Sequence, residues 1–392
     1  MERLPGVAKI AVLRPNAVGD FVFALPALHA LKHAYPKAEL VLLGKPWHAS
    51  FLAGRPGPVD RVIVMPPVPG VGAPAVHEED AAHHMVDDAV SRDAIGTVDA
   101  FVAQMRAEGF DIVAQMYGGG RYSNPFALRL GGRVTIGARA EGAAAPDRWC
   151  AHVEPGNRRL ALLEIASLVG ALAPPALAGI RELAVTPADR EEAYRILPPD
   201  RHRPLVLLQP GSSDLRRCWP AAKFAAVGDA LAAAGAHVAV NGSAGEATLV
   251  RQVVQAMRHP AADLSGALGL GGLCGLLARS ALLVSNDTGP LHLALALGTP
   301  AVGVFWHTNA IDGAPLQPSL LRAAVSSQTR CTACGMDNRR GRCAHQESFV
   351  DEVTVEEVEC MALALLRERM ASSGQGPPHR ETMPAWRGRP LQ

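Results

Sequence analysis

Residues 281–306 read "ALLVSNDTGPLHLALALGTPAVGVFW". The apolar run 281–286 predicts a buried strand, residues 291–298 predict a short helix, and residues 300–306 predict a second strand. A strand, a helix and a strand in this order form a βαβ unit, and such units build parallel sheets. The segment therefore predicts an α/β fold.

The same alternation occurs in both halves of the chain. In the first half, strands are predicted at 9–14, 38–44, 61–65, 111–116 and 133–137, with a helix at 21–35. After residue 204 the pattern restarts, with strands at 205–209 and 237–242 and helices at 221–235 and 245–257. Both halves are therefore predicted to be Rossmann-like, doubly wound units.

Two such units in series predict two domains, at 1–184 and 185–365, followed by a disordered tail at 366–392. The proline-rich stretch 173–204 is typical of a connection between domains and is the expected hinge. Residues 66–93 are expected to be a solvated insertion rather than a metal site. Ligands of doubly wound sheets bind at the carboxyl ends of the strands, so we expect the active site between the two domains.

The composition indicates a globular protein without a long-range electrostatic field. The 392 residues are 48% hydrophobic and 19% charged, with a formal net charge of +1, so nucleic acid is not an expected partner. No uncharged apolar stretch approaches the ~18 residues of a membrane span, and the run at 10–13 is too short for a signal peptide. Seven cysteines in so long a chain argue against a secreted disulfide framework. We therefore expect a cytoplasmic protein.

Asp287, Thr288 and Gly289, which follow the strand at 281–286, have two interpretations. An aspartic protease of the two-lobed kind needs a second Asp-Thr-Gly, because two carboxylates share one proton, and the chain contains one copy. At the start of a helix the same residues instead present N–H groups and the helix dipole to an anion. The segment favours phosphate binding, although simple capping of the helix stays open. His292, one turn further on, is by itself more typical of a core residue.

A second loop favours the same ligand. Gly211, Ser212 and Ser213 follow the strand at 205–209 and precede Arg217. Such a loop can donate N–H and O–H groups to a phosphate while an arginine clamps it, although an ordinary solvated loop remains the alternative. Two anion sites at the ends of strands suggest a diphosphate.

The first half has its own candidate residue. Asp20 follows Gly19 at the start of the helix at 21–35, in a strand, glycine turn and helix without the G-x-G-x-x-G fingerprint of dinucleotide binding. A carboxylate there can act as a general base or can simply cap the helix.

The segments 13–40, 206–220 and 285–306 together resemble glycosyltransferase family 9, whose best-known members are lipopolysaccharide heptosyltransferases. The resemblance implies a GT-B fold, in which two Rossmann-like domains face a central cleft. It also implies an ADP-heptose-like donor bound mainly by the second domain. The implied reaction is an inverting transfer that requires no metal or other cofactor.

The resemblance implies roles for individual residues. Asp20 is the implied base, and Asp287, Thr288, Gly289 and His292 are the implied contacts to the donor phosphates and sugar. Glu246, after the next strand's glycine turn, is the implied partner of the ribose. The leaving diphosphate would be stabilised by residues of the two anion loops. These are Arg217, Ser212, Ser213 and the amides of Thr288 and Gly289.

Two positions depart from the family pattern. Arg217 stands where members often carry a lysine, which keeps the charge but changes the reach and so leaves donor preference open. The loop 115–124 lacks the family's usual lysine, for which Arg121 is the expected substitute on the acceptor side together with Gly19. The acceptor itself, a glycan such as the lipopolysaccharide core, a lipid-linked molecule or another hydroxyl compound, stays open. A lipid-linked acceptor would bring the enzyme to the inner face of the membrane.

Cys331, Cys334 and Cys343 lie close together in sequence, with His345 beyond them. Four such ligands can form a tetrahedral zinc or iron site. The alternative is a metal-free loop whose arginines contact the acceptor, and the absence of a fourth cysteine, with Ser348 in its place, favours it. The arginines are Arg339, Arg340 and Arg342.

Other functions fit the same architecture. A GT-B transferase could use a different nucleotide sugar, and an epimerase would act on a sugar nucleotide without an acceptor. A scaffold could retain the fold without catalysis, but the presence of Asp20, Asp287 and His292 together argues against that.

Overall fold

The computed structural model describes residues 2–74, 88–172, 181–339 and 343–373. These residues form two compact units, one from the part up to residue 172 and one from residue 181 onward. Each unit has its own parallel sheet, which confirms the predicted α/β fold. Among the described residues, no helix combines the length and apolarity needed to cross a bilayer.

Within residues 2–172 as described, six strands form one parallel sheet. The strands are β1 (Lys9–Leu13), β2 (Glu39–Gly44), β3 (Arg61–Val64), β6 (Ile112–Gln115), β7 (Val134–Arg139) and β8 (Arg148–Ala151), with a separate pair β4 (Val68–Pro69) and β5 (Gly72–Ala73). The sheet order is β3-β2-β1-β6-β7-β8, so the direction of winding reverses between β1 and β6. In a sheet of this order, ligands bind at the carboxyl ends of the strands that flank the reversal.

The helices of the first unit are α1 (Val18–Ala34), α2 (Pro46–Leu52), α3 (Asp88–Glu108), α4 (Ser123–Arg129) and α5 (Arg158–Ser167). α1 begins three residues before its predicted start, so Gly19 and Asp20 lie in its first turn. The prediction of a solvated insertion at 66–93 is only partly correct, because residues 88–93 belong to α3. Its histidines, at 77, 83 and 84, lie outside the described residues.

In the described part of the second unit, six strands form another parallel sheet. They are β9 (Leu205–Gln209), β10 (His237–Val240), β11 (Ala262–Asp263), β12 (Leu282–Asn286), β13 (Ala301–Trp306) and β14 (Leu321–Ser326). Their order, β11-β10-β9-β12-β13-β14, reverses between β9 and β12. The carboxyl ends of these two neighbours therefore lie side by side.

The helices of the second unit are α6 (Pro187–Ile196), α7 (Ala221–Ala233), α8 (Ala247–Ala256), α9 (Leu270–Arg279), α10 (Gly289–Ala296), α11 (His307–Asp312) and α12 (Val355–Ser373). β12, α10 and β13 form the βαβ unit predicted from residues 281–306. The buried Trp219 packs edge-on against Phe224, with ring centroids 5.2 Å apart. Apolar residues from β9, β10, β12, β13, α7 and α12 complete this core.

Two expectations for the second unit are corrected. The stretch 173–204 is not only a connection, because α6 lies in it and packs closely against α9. A Cβ added at Gly275 of α9 would lie 2.1 Å from the carbonyl oxygen of Asp189. The tail was expected to begin at residue 366, but α12 continues past that residue. Leu366 is buried in the core and holds this part of the helix in place. Residues 374–392 lie outside the described part of the chain.

Candidate functional site

The loops after β9 and β12 meet at the carboxyl edge of the second sheet. Arg217 Nη1 lies 3.3 Å from Asp287 Oδ2, and Arg217 Nη2 donates to Ser213 Oγ at 3.2 Å. These residues are far apart in sequence, and they meet because β9 and β12 are neighbours in the sheet. A cationic guanidinium, a hydroxyl and a carboxylate are thus assembled beside the N-terminus of α10.

Asp287 is buried and holds three neighbouring side chains. Its Oδ1 lies 3.0 Å from His292 Nε2, and its Oδ2 accepts a hydrogen bond from Asn309 Nδ2 at 2.6 Å. Burial alone would raise the pKa of Asp287, but the bonds to His292 and Asn309 and the nearby Arg217 guanidinium hold it below its ordinary value. Asp287 is therefore an ionised carboxylate that orients its neighbours, and His292 is a buried partner of it.

Thr288 and Gly289 form the start of α10. Thr288 is the N-cap, and within the described residues its side chain makes no capping hydrogen bond. The Asp287 carboxylate is directed to His292 and Asn309, so capping does not account for either residue. Pro290 carries no amide hydrogen, and the Leu291 amide donates to the carbonyl of Thr288 at 3.1 Å. The amides at the start of a helix have no acceptor in the preceding turn, so those of Thr288 and Gly289 are the candidates for binding an anion.

Gly211 and Glu246 lie against each other at the same edge of the sheet. A Cβ added at Gly211 would lie 1.8 Å from Glu246 Oε1. Glu246 Oε2 accepts hydrogen bonds from the Ser243 amide at 2.7 Å and from Ser243 Oγ at 2.9 Å. Ser212, in the same loop, is buried and accepts from the Asp214 amide at 3.4 Å. Glu246 is therefore held beside the glycine loop.

Asn286 was not identified from the sequence, and it fixes this loop. Its Oδ1 accepts from the Trp219 amide at 3.0 Å, and its Nδ2 donates to the carbonyl of Pro210 at 2.6 Å. One buried amide thus holds both ends of the stretch 210–219. Asn309, which binds Asp287, was also missed. The available signal was a polar residue near the carboxyl end of a buried strand, because Asn286 is the last residue of β12 and Asn309 lies in α11, which follows β13.

In the first unit, Asp20 lies beside two arginines. Its Oδ1 is 3.2 Å from Arg158 Nη1 and 3.5 Å from Arg14 Nη2. Arg14 is buried at the end of β1, and its Nε and Nη2 also donate to the carbonyl of Asp20 at 3.1 and 2.9 Å. Burial lowers the pKa of Arg14 to about 10, partly offset by Asp20, so Arg14 stays charged at neutral pH. The carboxylate is held in place from both sides.

A cavity of about 350 Å³ adjoins Asp20. Its polar lining includes Asn16, Tyr117, His152, Glu154 and Arg158. The cavity lies at the carboxyl ends of β1 and β6, where the strand order reverses. It is therefore a candidate pocket for a polar ligand next to a carboxylate.

The two predicted acceptor-side residues are placed differently. Gly19 lies directly before Asp20 in the first turn of α1. Arg121 is exposed, with its guanidinium 5.6 Å from the ring of Tyr122, and it is not among the described residues that line the cavity. The structure thus brings Arg14 and Arg158 to Asp20.

The cysteine cluster forms a compact group of ligand atoms. One atom from each of Cys331, Cys334, Cys343 and His345 lies within 4.8 Å of the others. Three thiols and an imidazole suit soft metal ions, so the cluster can bind a metal. Of the arginines in the alternative interpretation, Arg339 pairs with Asp337 at 2.6 Å, and Arg340 and Arg342 lie outside the described residues.

Comparison with known proteins gives a family match. The model of glycosyltransferase family 9 (heptosyltransferase) matches residues 98–345, more than half of the chain. Lipopolysaccharide heptosyltransferase 3 of Escherichia coli is 30% identical over 120 residues, which are 30% of this chain and 35% of that protein. The lipopolysaccharide core heptosyltransferase OpsX of Haemophilus influenzae is 26% identical over 136 residues, 34% of this chain and 39% of that protein. The chain thus spans little more than a third of the length of these relatives.

Solved structures share the fold. A glycosyltransferase family 9 structure from Veillonella parvula has a TM-score of 0.69 at 18% identity, covering 92% of this chain and 97% of that one. The ADP-heptose lipopolysaccharide heptosyltransferase II of Escherichia coli has a TM-score of 0.68 at 19% identity, covering 92% and 99%. These similarities confirm the predicted GT-B class of two Rossmann-like units.

Proposed function

Because this chain belongs to glycosyltransferase family 9, we propose that it transfers a heptose from an ADP-heptose donor to a hydroxyl acceptor. The observation that carries the proposal is the contact of Arg217 with Asp287 and Ser213 at the carboxyl edge of the second sheet. It places a cation next to a helix N-terminus, a combination suited to a diphosphate. The names of the curated relatives, all heptosyltransferases, support heptose as the sugar.

The donor is held by the second unit in this proposal. Arg217, Ser213 and the amides of Thr288 and Gly289 bind the diphosphate, and the buried Ser212 supports the loop. His292, fixed by Asp287, contacts the sugar phosphate. Glu246, held beside Gly211, binds the ribose hydroxyls. Carboxylate oxygens are acceptors, and hydroxyl groups are suitable donors to them.

The transfer is proposed to be a single displacement with inversion. The acceptor oxygen forms a bond to the anomeric carbon, its proton passes to Asp20, and the bond from that carbon to the diphosphate oxygen breaks. ADP leaves with the bonding electron pair. Its growing charge is stabilised by Arg217, the Ser212 and Ser213 loop and the amides of Thr288 and Gly289, which are in place before the reaction begins. No metal is needed for this step in the proposal.

The acceptor is proposed to enter the cavity beside Asp20. The polar lining of that cavity suits a sugar or another polyhydroxyl compound. Gly19 and Arg121 remain proposed as acceptor-side residues outside that lining. By analogy with the named activities of the relatives, we propose the lipopolysaccharide core as the first acceptor to test. We also propose that the enzyme is cytoplasmic, and a lipid-linked acceptor would place it at the inner face of the membrane.

The cluster of Cys331, Cys334, Cys343 and His345 is proposed to hold a structural zinc or iron ion. Its ligand atoms are close enough for a shared ion, and the chemistry of three thiolates with one imidazole fits both metals. An ion there would organise the chain locally and would take no part in bond breaking.

Titration calorimetry with ADP, ADP-heptose, UDP and GDP tests the donor assignment. We expect micromolar binding of ADP and ADP-heptose alone, weakened at least about tenfold in Asp287→Ala, because Arg217 and His292 lose their common partner. Arg217→Lys is the matched control, because lysine retains the positive charge but cannot make the bidentate hydrogen bonds of a guanidinium. Binding of UDP or GDP instead would assign another nucleotide sugar. Absence of all binding by folded protein would favour a non-catalytic scaffold.

A further inference from the structure

The chain segment that follows the cysteine cluster is attached to the loop 214–218, which contains Arg217. From His345 the chain runs to Ser348 and Phe349 within four residues. Ser348 Oγ donates to the carbonyl of Cys218 at 2.8 Å, and the Phe349 amide donates to the carbonyl of Arg216 at 2.6 Å. These two contacts lie on either side of Arg217.

Arg216 strengthens this attachment. Its guanidinium lies 5.0 Å from the centroid of the Phe349 ring and pairs with Asp214 at 2.7 Å. Arg216 is buried, whereas its neighbour Arg217 extends to Ser213 and Asp287. The backbone of the loop is therefore fixed by Phe349 and Ser348, and this backbone sets the position from which Arg217 reaches the diphosphate.

The other arm of the cluster is attached to the same part of the sheet. Cys331 follows Gln328, whose carbonyl accepts from Trp306 Nε1 at 2.8 Å at the end of β13. The ring of Trp306 lies 5.0 Å from that of Phe349. Both arms of the cluster thus converge on Phe349, so joining them through one ion restrains the residue that supports the Arg217 loop.

The cluster requires little rearrangement to hold zinc. Zn–S bonds of ~2.3 Å in a tetrahedron place sulfur atoms about 3.8 Å apart. The ligand atoms already lie within 4.8 Å of one another, and they come from both arms. Cys331 is buried and fixed, whereas Cys334 and His345 are exposed and can adjust.

We propose that Zn²⁺ bound by Cys331, Cys334, Cys343 and His345 fixes residues 345–349 against the loop 214–218, and thereby couples metal occupancy to binding of the donor diphosphate. This inference rests on the proposed donor site. Because binding free energies are reciprocal, zinc strengthens ADP binding by the same factor by which ADP strengthens zinc binding.

The test uses the intact protein and two probes, Zn²⁺ and ADP. We expect about one zinc per chain by elemental analysis. Removing zinc with a chelator should weaken ADP binding about tenfold, and adding Zn²⁺ back should restore it. Cys343→Ser should behave like the zinc-free protein, and Cys360→Ser, at an exposed cysteine of α12 outside the cluster, should behave like wild type. Circular dichroism establishes that each sample is folded.

The Arg217→Ala variant distinguishes a metal ion that positions Arg217 from one that only stabilises the fold. If the metal acts through Arg217, chelation no longer changes ADP affinity in this variant, although the melting temperature still falls. Stoichiometric iron without zinc would overturn the metal assignment. Equal ADP affinity with and without zinc would overturn the coupling and leave the donor site standing. If ADP does not bind even to the zinc-loaded protein, the proposed function itself fails.

Discussion

Asp20 is held between Arg158 and the buried Arg14, so its carboxylate has a fixed direction toward the adjoining cavity. We predict that Asp20→Asn lowers kcat by about 10² to 10⁴, because the amide cannot take the acceptor proton. ADP affinity should stay within twofold of wild type, since the nucleotide is assigned to the second unit. Steady-state assays and calorimetry measure the two quantities. A variant that keeps a tenth of the wild-type kcat would remove Asp20 from the role of base.

Asn309 supplies a hydrogen bond to the buried carboxylate of Asp287. We predict that Asn309→Ala lowers the free energy of unfolding by about 1 to 3 kcal/mol, because a buried acceptor loses its donor. Denaturant titration measures the change. In an Asp287→Ala background the same substitution should cost much less, since no carboxylate remains to be satisfied. Equal costs in both backgrounds would show that Asn309 acts through other contacts.

Single residues were predictable from the sequence where a motif places them. Asp287, Thr288 and Gly289 follow a strand and precede a helix, and the structure places them there. Asn286, Asn309 and Arg158 were not found, because their importance comes from contacts with residues distant in sequence. The acceptor-side role expected for Arg121 rests on loop similarity alone and stays a prediction.

At the scale of elements, an ion network joins three strands and a helix of the first unit. Glu108 at the end of α3 pairs with Arg61 of β3 and Lys9 of β1, each at 2.8 Å, and Arg61 also pairs with Glu39 of β2 at 2.7 Å. Hydrogen bonds from Arg61 and Lys9 hold the pKa of Glu108 at about 2. Because the folded-state pKa lies below the unfolded value of about 4.3, the network stabilises the fold above that pH.

We predict that Glu108→Gln lowers the free energy of unfolding by about 1.5 to 3 kcal/mol at pH 7, the usual worth of charge-assisted hydrogen bonds. The difference from wild type should shrink as pH falls from about 4.3 toward 2, because the wild-type carboxylate becomes protonated over that range. Denaturant titrations at several pH values measure it. Glu141→Gln, at an exposed turn, is the control. A difference that does not change with pH would exclude the ionic origin.

Elements were predictable where apolar periodicity was strong. The central strands of both sheets are nearly continuous apolar runs, and these were identified correctly. The helices α3 and α6 were not predicted. α3 begins in a highly charged stretch, and α6 has prolines around it, and both compositions are typical of loops. In α6, Pro187 occupies the first helical position, which is compatible with a helix, and Thr186 and Asp189 cap each other.

At the scale of the whole molecule, the two units have the same strand order but different candidate chemistry. The residues proposed to bind the diphosphate all lie in the second unit, and Asp20 with its cavity lies in the first. We predict that ADP slows hydrogen exchange in the loops that follow β9, β10 and β12, and leaves the core strands β1 and β2 unchanged. Mass spectrometry of the full chain measures this. Protection centred on the carboxyl ends of β1 and β6 would reverse the assignment of donor and acceptor units.

The α/β class and the two-unit organisation followed from alternation along the chain, because each βαβ unit is a local pattern. The order of strands did not follow from the sequence, since it depends on which sheet edge each strand joins. The reversal between β9 and β12 is the part of the topology that brings Arg217 to Asp287.

The close approach of Gly211 and Glu246 makes these two positions interdependent in mutagenesis. The methyl group introduced by Gly211→Ala would collide with the Glu246 carboxylate, which would have to swing out and lose its bonds to Ser243. Shortening Glu246 to alanine would create the room that this methyl group needs. A genetic screen that begins from a thermolabile Gly211→Ala enzyme should therefore recover suppressors at position 246 that restore heat tolerance but lack the carboxylate proposed to bind the ribose.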